Sequence, residues 1–197
     1  MASILSNYAS LKPQEIAEHT EEATNWYRQN LRTLKVNPKS LRKEGSPVVK
    51  PILGSMVIFN YSAKGFDTLP YWDRYPVVIP IEPRQNGFLG LNLHYLPPRY
   101  RAVLLTQFAD FTSEINEGDS NTRLQLTYDM VKSISRIKWA RPCIKQYITS
   151  YIRGQIREIP FEHWPVVSML PTQKFVGNDG RPYGANTVYS KSIRQVR

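Results

Sequence analysis

The sequence contains a single cysteine, Cys143, among 197 residues, so no disulfide can form within the chain. A disulfide-stapled secreted scaffold is therefore excluded, and a reducing site of synthesis is favoured. No apolar run approaches the roughly 20 residues of a membrane helix. The N-terminus, MASILSNYASLKPQE, lacks the basic segment and the apolar run of a signal peptide. We therefore predict a soluble protein that has no membrane partner and is not secreted by the usual route.

Patterns that hold metals, cofactors or catalytic groups are also missing. The three histidines, His19, His94 and His163, fall in separate predicted elements, and no CxxC, HxH or HExxH pattern occurs. No glycine-rich phosphate-binding loop is present. Cys143 follows Arg141-Pro142 at a predicted helix start, which could lower its pKa, but a small buried hydrophobe is the commoner role. We predict no cofactor, no metal and no enzymatic activity.

Positive charge is concentrated towards the ends of the chain. The net charge is +10, with 8 basic and 5 acidic residues in 1–50, 6 and 8 in 51–131, and 12 and 3 in 132–197. The centre is thus mildly acidic and the C-terminal third strongly basic. This layout suits an anionic partner met by one face or arm, although a solvated basic surface would give the same count.

The hydrophobic pattern predicts an α+β fold. Strands are predicted at 56–61, 77–81 and 88–95, forming a small antiparallel sheet or half-barrel at about 54–96. Pro80 indicates an edge strand or a bulge. A C-terminal group of helices, predicted at about 100–111, at 121–139 and after Pro142, should pack against this sheet.

Extended arms are expected on both sides of a core domain at 54–170. Residues 1–53 are predicted to hold a helix at 13–34 followed by a basic extended connector. Residues 171–197 are polar and basic, with too few apolar residues for a core, and are predicted to form an extended tail.

Two sets of residues are candidates for contacts with partners. An aromatic cluster in the segment 67–76, with Asp73 and Arg74 able to pair locally, suggests either a protein-docking surface or a packed loop. The proposed docking residues, in this cluster and in the two arms, are Tyr71, Trp72, Tyr75, Arg42, Lys43, Arg194 and Arg197.

A second set lies in an acid-free stretch near Trp139 and Tyr147 and could track a phosphate backbone or pair with an acidic subunit. Its members are Lys132, Arg136, Lys138, Arg141, Lys145, Arg153 and Arg157.

Three strings carry a family resemblance: GSMVIFNYSAK at 54–64, LPYWDRYPVV at 69–78, and GFLGLNLHYLPP at 87–98. Together they resemble small uncharacterised virion proteins of contractile-tailed bacteriophages, over most of residues 15–175. The resemblance implies a structural protein of the particle, in its tail, baseplate or neck, made in the host bacterial cytoplasm. It supplies no catalytic or binding residue.

Two functions follow. The first is a structural virion component that docks onto several neighbouring virion proteins in a symmetric multi-copy assembly. The second is a nucleic-acid-binding protein that contacts phage DNA through the 132–157 stretch.

Overall fold

The computed structural model describes residues 45–97, 100, 101, 104, 119–161, 164 and 175–195. Two helices are described in full, α1 (Ser120–Ile134) and α2 (Ala185–Gln195). The strands are β1 (Ser46–Val48), β2 (Met56–Tyr61), β3 (Trp72–Asp73), β4 (Val77–Arg84), β5 (Gly87–Asn92), β6 (Ile144–Ile148), β7 (Ile152–Ile159), β8 (Phe175–Val176) and β9 (Pro182–Tyr183). The predicted α+β class is confirmed.

The main sheet has six antiparallel strands in the order β1-β7-β2-β4-β5-β6. Strands β4 and β5 form a hairpin in which Arg84 pairs with Gly87 across a turn at Gln85 and Asn86. The Asn86-Gly87 sequence, a common hairpin turn signal, lies at this turn. A second, three-stranded sheet has the order β3-β8-β9.

Pro80 lies in β4, an interior strand, so the edge-strand alternative is wrong. The bulge alternative is confirmed, because the β4–β5 register shifts between Pro80 and Glu82. A bulge suits proline here, since the residue has no N–H to donate to a regular ladder.

The main sheet curls so strongly that β2 meets β6, although β4 and β5 lie between them in the strand order. The Ile148 amide donates to the Tyr61 hydroxyl at 3.3 Å, and the Tyr61 and Tyr147 rings meet edge to face at 5.1 Å between centroids. The sheet is therefore a half-barrel, which is one of the two forms predicted from the sequence.

Both faces of the sheet are buried, because side chains alternate along each strand. On β2, Met56 and Ile58 belong to the core that packs against the helices, which includes Val131 of α1 and Val188 of α2. Val57, Phe59 and Tyr61 belong to a second core on the opposite face. This second core is rich in aromatic rings and lies inside the curl.

The prediction of a helix after Pro142 is wrong, because residues 144–148 and 152–159 form β6 and β7. Ile144, Ile148, Ile152 and Ile156 recur every four residues, which indicates one face of a helix. Four is also an even number, so the same spacing fits one face of a strand. The β-branched isoleucines favour the strand.

The prediction of an extended C-terminal tail is wrong for residues 175–195, where β8, β9 and α2 form. Phe175, Val188 and Tyr189 are buried in the core. A few apolar residues suffice here because Val188, Tyr189 and Ile193 lie on one side of α2, while Phe175 reaches the core from β8. Residues 45–53 also join the body, since β1 pairs with β7. The predicted helix at 13–34 and most of the one at 100–111 lie outside the described residues.

Candidate functional site

Two adjoining cavities lie where β2 and β6 meet, and they share Lys64, Gln146 and Ile148. We call the larger one, of about 850 Å³, the groove, and the smaller one, of about 390 Å³, the cleft. The groove runs along residues 49–53, the β4–β5 turn and the segment 146–151. The cleft is lined by Tyr61, Ala63, Lys64, Leu69, Pro70, Tyr71, Trp72, Asp73, Tyr95, Lys145, Gln146, Tyr147 and Ile148.

Among the described residues, the charged side chains that line the groove are all cationic: Lys50, Lys64 and Arg84. All three are exposed, and Arg84 also pairs with Glu82 at 2.9 Å. An exposed pair of this kind contributes roughly 0–1 kcal/mol, so a stronger anion can displace it. Neutral polar residues complete the lining, among them Gln85, Asn86 and Gln146. This surface matches an extended anionic chain.

Five aromatic residues line the cleft, and Lys145 lies among them. The Lys145 ammonium lies 4.2 Å from the centre of the Tyr95 ring, a cation–π contact. Among the described residues no carboxylate pairs with Lys145. Burial lowers the pKa of Lys145, and the nearby Cys143 thiol partly offsets this shift. A lysine held this way lacks the anionic partner that usually accompanies a largely buried charge.

Trp72 lines the cleft, and Phe66 contacts Trp72 from outside the cleft lining. The Trp72 Nε1 is buried and has no hydrogen-bond partner. Phe66 is exposed and meets Trp72 at 6.0 Å in an edge contact. An unpaired buried donor is uncommon in folded proteins.

Below the cleft lies a buried polar network centred on Asp73. His94 Nδ1 lies 2.6 Å from Asp73 Oδ2, and Asn92 Nδ2 donates to the same carboxylate at 3.3 Å and to the Tyr147 hydroxyl at 2.8 Å. Arg101 donates to the Leu96 and His94 carbonyl oxygens. The network ties β3, β5 and β6 together under the cleft.

The charges of this network are set by burial and by its partners. Burial alone would raise the pKa of Asp73, but the charge of His94 and hydrogen bonds from His94, Tyr75 and Asn92 hold it below its ordinary value. Burial lowers the pKa of Arg101 to about 10, so this residue still carries a positive charge at neutral pH. Asp73 is therefore ionised in the folded protein.

Cys143 lies in the buried core, where burial raises its thiol pKa to about 12 despite the nearby charges of Lys145 and Arg101. The suggestion that its position at a helix start could lower this pKa is wrong. The residues 141–143 form only a short 3-10 turn that leads into β6. Cys143 is a core residue.

The predicted docking residues are dispersed. Tyr71 is buried and its hydroxyl bonds with the Ser192 hydroxyl at 2.8 Å, which contradicts an exposed docking role. Trp72 and Tyr75 are partly buried, and Arg194 is exposed on α2. The predicted local pair of Asp73 with Arg74 is replaced by the pair of Asp73 with His94. Arg42, Lys43 and Arg197 lie outside the described residues.

The predicted basic stretch at 132–157 is also divided among several elements. Lys132 lies on α1 and donates to the Tyr128 hydroxyl, and Arg136, Lys138 and Arg141 follow it as exposed side chains. Two members, Arg153 and Arg157, lie on β7. Arg153 is exposed, whereas Arg157 is partly buried and its guanidinium donates to the Gly45 carbonyl at 2.7 Å. Lys145 alone of the seven lines the cleft.

Sequence reasoning missed the cations of the groove and the Asp73–His94 pair. Lys50, Lys64 and Arg84 are isolated in sequence, and only the curl of the sheet brings them to one cavity. The 21-residue separation of Asp73 and His94 matches no spacing rule. The resemblance strings LPYWDRYP and NLHYLPP contain both residues, and that coincidence was the one available signal.

Two absences hold for the described part of the chain. It contains no group of three or more His, Cys, Asp or Glu side chains placed to hold a metal ion. None of its helices combines the length and apolar character that crossing a membrane requires.

The fold and the site define an α+β protein with a basic groove that leads to an aromatic cleft. Residues 6–192 match the model of a family described as phage T4 terminal DNA protecting protein, and the chain belongs to this family. It is therefore a bacteriophage protein, as the resemblance implied. No curated protein and no solved structure gives a significant match.

Proposed function

We propose that this protein binds the ends of phage DNA through the groove and shields them by occupying them. The observation that carries the proposal is a groove whose charged lining residues are Lys50, Lys64 and Arg84, in a member of a family named for protecting terminal DNA. The cations would lie along the phosphates, as in other proteins that bind DNA without reading its sequence.

The groove supports this function better than the predicted 132–157 stretch. The basic residues of that stretch are spread over α1, the following loop and β7. Two of them already have partners, since Lys132 bonds with Tyr128 and Arg157 with Gly45. The groove instead presents its cations in one concave surface, where DNA can contact them together.

We propose further that the protein acts by binding and not by catalysis. Asp73 and His94, the one acid–histidine pair among the described residues near the cleft, are almost wholly enclosed, with side-chain exposures of 1% and 0%. Among described residues the one thiol has a pKa raised to about 12, which disfavours the thiolate needed for nucleophilic attack. Shielding an end requires occupancy alone.

The virion remains the proposed location, with other virion proteins as further partners in a symmetric assembly. A protein that stays on a DNA end has to accompany that DNA in the particle, and this supports the virion over a purely intracellular role. The exposed Arg194 on α2 is available for such contacts. The narrower prediction of tail, baseplate or neck stays part of this proposal.

Anisotropy titrations of a labelled linear duplex at increasing salt test the groove. The wild-type affinity should fall with a log–log slope of about −0.9 per phosphate contacted. The triple variant Lys50→Ala/Lys64→Ala/Arg84→Ala should bind more weakly. The magnitude of its log–log salt slope should be smaller by up to about 2.7, which corresponds to three lost phosphate contacts. It should also leave linear DNA open to an added exonuclease, which the wild-type protein should slow.

The matched control removes the same number of charges elsewhere, in Lys132→Ala/Arg136→Ala/Lys138→Ala. This control should keep most of the affinity and the protection, because α1 and its following loop lie outside the groove lining. If the control lost binding and the groove variant kept it, the interface would be the 132–157 stretch and the groove proposal would be wrong.

A further inference from the structure

We propose that the cleft holds the terminal nucleotide of a DNA strand, with its phosphate at Lys145 and its base against the Trp72 ring. The inference rests on the proposed function, since the groove would lead the strand to the cleft. It adds a feature that distinguishes an end from the middle of a duplex, because an unpaired terminal nucleotide can enter a cleft of about 390 Å³ without breaking a base pair.

Lys145 is the first support for an anionic occupant. Its ammonium lies over the Tyr95 ring and has no carboxylate partner among the described residues. Desolvating a charge without a partner is costly, and a phosphate would supply the missing one. Lys64, shared by the groove and the cleft, is a second cation at the entrance.

The donors and rings of the cleft fit the rest of a nucleotide. Trp72 Nε1 is a buried donor without a partner, and the Tyr95 hydroxyl makes no hydrogen bond within the described structure. The partly buried Trp72 also brings a flat ring to the cleft, on which any base can stack. Acceptor atoms and a planar ring are what a nucleotide offers.

The size of the cleft sets the form of the occupant. Its volume of about 390 Å³ lies in the range of roughly 300–1,000 Å³ found for small-ligand pockets. One nucleotide fits this space and a base pair inside a duplex does not. The strand must therefore be single at its last position, as in an overhang or a frayed end.

The test compares labelled duplexes with a short single-stranded overhang and competes them with closed circular DNA, which has no end. Separate arms carry a 5′ overhang and a 3′ overhang, each with and without a terminal phosphate, and so identify which terminus enters. The wild-type protein should prefer one phosphorylated overhang over the circle by roughly 10-fold or more.

Lys145→Gln should remove this preference while binding to the circle through the groove persists. Lys145→Arg keeps the charge and should retain the preference, which separates charge from packing. Trp72→Phe keeps a ring but loses the N–H donor and should weaken overhang binding alone. The exposed Lys138→Gln is the matched control and should behave as wild type.

The outcomes separate the two proposals. If Lys145→Gln keeps the full preference, or weakens circle and overhang equally, the cleft is not a terminal-nucleotide site, and DNA binding by the groove stands. If the wild-type protein binds the circle as tightly as every overhang, the inference is likewise overturned. If the wild-type protein bound none of these DNAs, both the groove proposal and the cleft proposal would be wrong.

Discussion

Asp73 and His94 form an almost wholly enclosed contact on the cleft floor, with His94 Nδ1 2.6 Å from Asp73 Oδ2. Asp73 follows Trp72 in β3, and His94 lies in the 3-10 turn that follows β5. The contact therefore fixes β3, which carries Trp72, against the main sheet. Because both side chains are enclosed, the contact stabilises the shape of the cleft and does not take part in chemistry there.

Asp73→Asn should lower the free energy of unfolding by about 3 kcal/mol or more at neutral pH, because it removes the buried carboxylate that contacts Asn92 and His94 and that faces the positive charge of Arg101. The native pKa of Asp73 lies below its ordinary 3.8, so its ionisation stabilises the fold fully above that pH. The stabilisation is lost as the pH falls through the native pKa. Urea unfolding measured from pH 7 down to about pH 2 should show a shallower acid loss in the variant.

Asp67→Asn is the matched control, since Asp67 is exposed in the loop before β3. It should change the free energy of unfolding by no more than about 0.5 kcal/mol. Equal effects of the two substitutions would contradict the special role of the Asp73–His94 contact.

Gly54→Ala should be much more destabilising than Gly154→Ala, although both glycines have positive φ, 81° and 77°. A Cβ on Gly54 would overlap the Leu124 carbonyl oxygen of α1, whereas nothing lies within 4 Å of one on Gly154. Each substitution incurs the left-handed penalty of roughly 1–2 kcal/mol, and only Gly54 adds a clash with backbone. Chemical denaturation of the pair measures the difference, and equal losses would mean that α1 does not pack at Gly54.

Cys143 should resist thiol reagents in the native protein at pH 8 and react at once in denaturant. Its pKa of about 12 leaves very little thiolate, and the side chain is buried. Because the chain has a single cysteine, the count of labelled thiols reports this site alone. Fast labelling of the native protein would show that the core around β6 opens readily.

Val188→Asp should unfold the protein or cost more than about 3 kcal/mol, because it places a carboxylate in the core beneath α2. Thr187→Asp puts the same charge on the exposed neighbouring position and should be close to neutral. Thermal unfolding followed by circular dichroism compares them. A native-like melting temperature for Val188→Asp would restore the extended-tail prediction.

The class of the fold could be predicted from sequence because its central strands are short, β-branched and aromatic apolar runs bounded by turn residues. Met56, Val57 and Ile58 and the Asn86-Gly87 turn give local signals that no distant contact overrides. The isoleucines at 144–156 failed as a guide because their spacing fits both a helix and a strand. Pairing with β2 and β5 decides between the two, and pairing is not local.

The site was less predictable than the fold, for a related reason. Trp72 and Lys145 were both candidates, but in different hypotheses, one for protein docking and one for DNA. The curl of the sheet brings them to one cleft. A sequence records which residues carry charge or rings, whereas the closure of a sheet decides which of them meet.

The bond between the Tyr71 hydroxyl and Ser192 joins the segment beside the cleft to α2, across 121 positions. Translation proceeds from the N-terminus, so the position of Tyr71 beside Trp72 cannot be fixed by this bond until α2 has left the ribosome. A nascent or prematurely terminated copy would carry the basic groove residues without a finished pocket. Under the proposed function, such a copy would bind DNA through the groove without holding an end in the cleft.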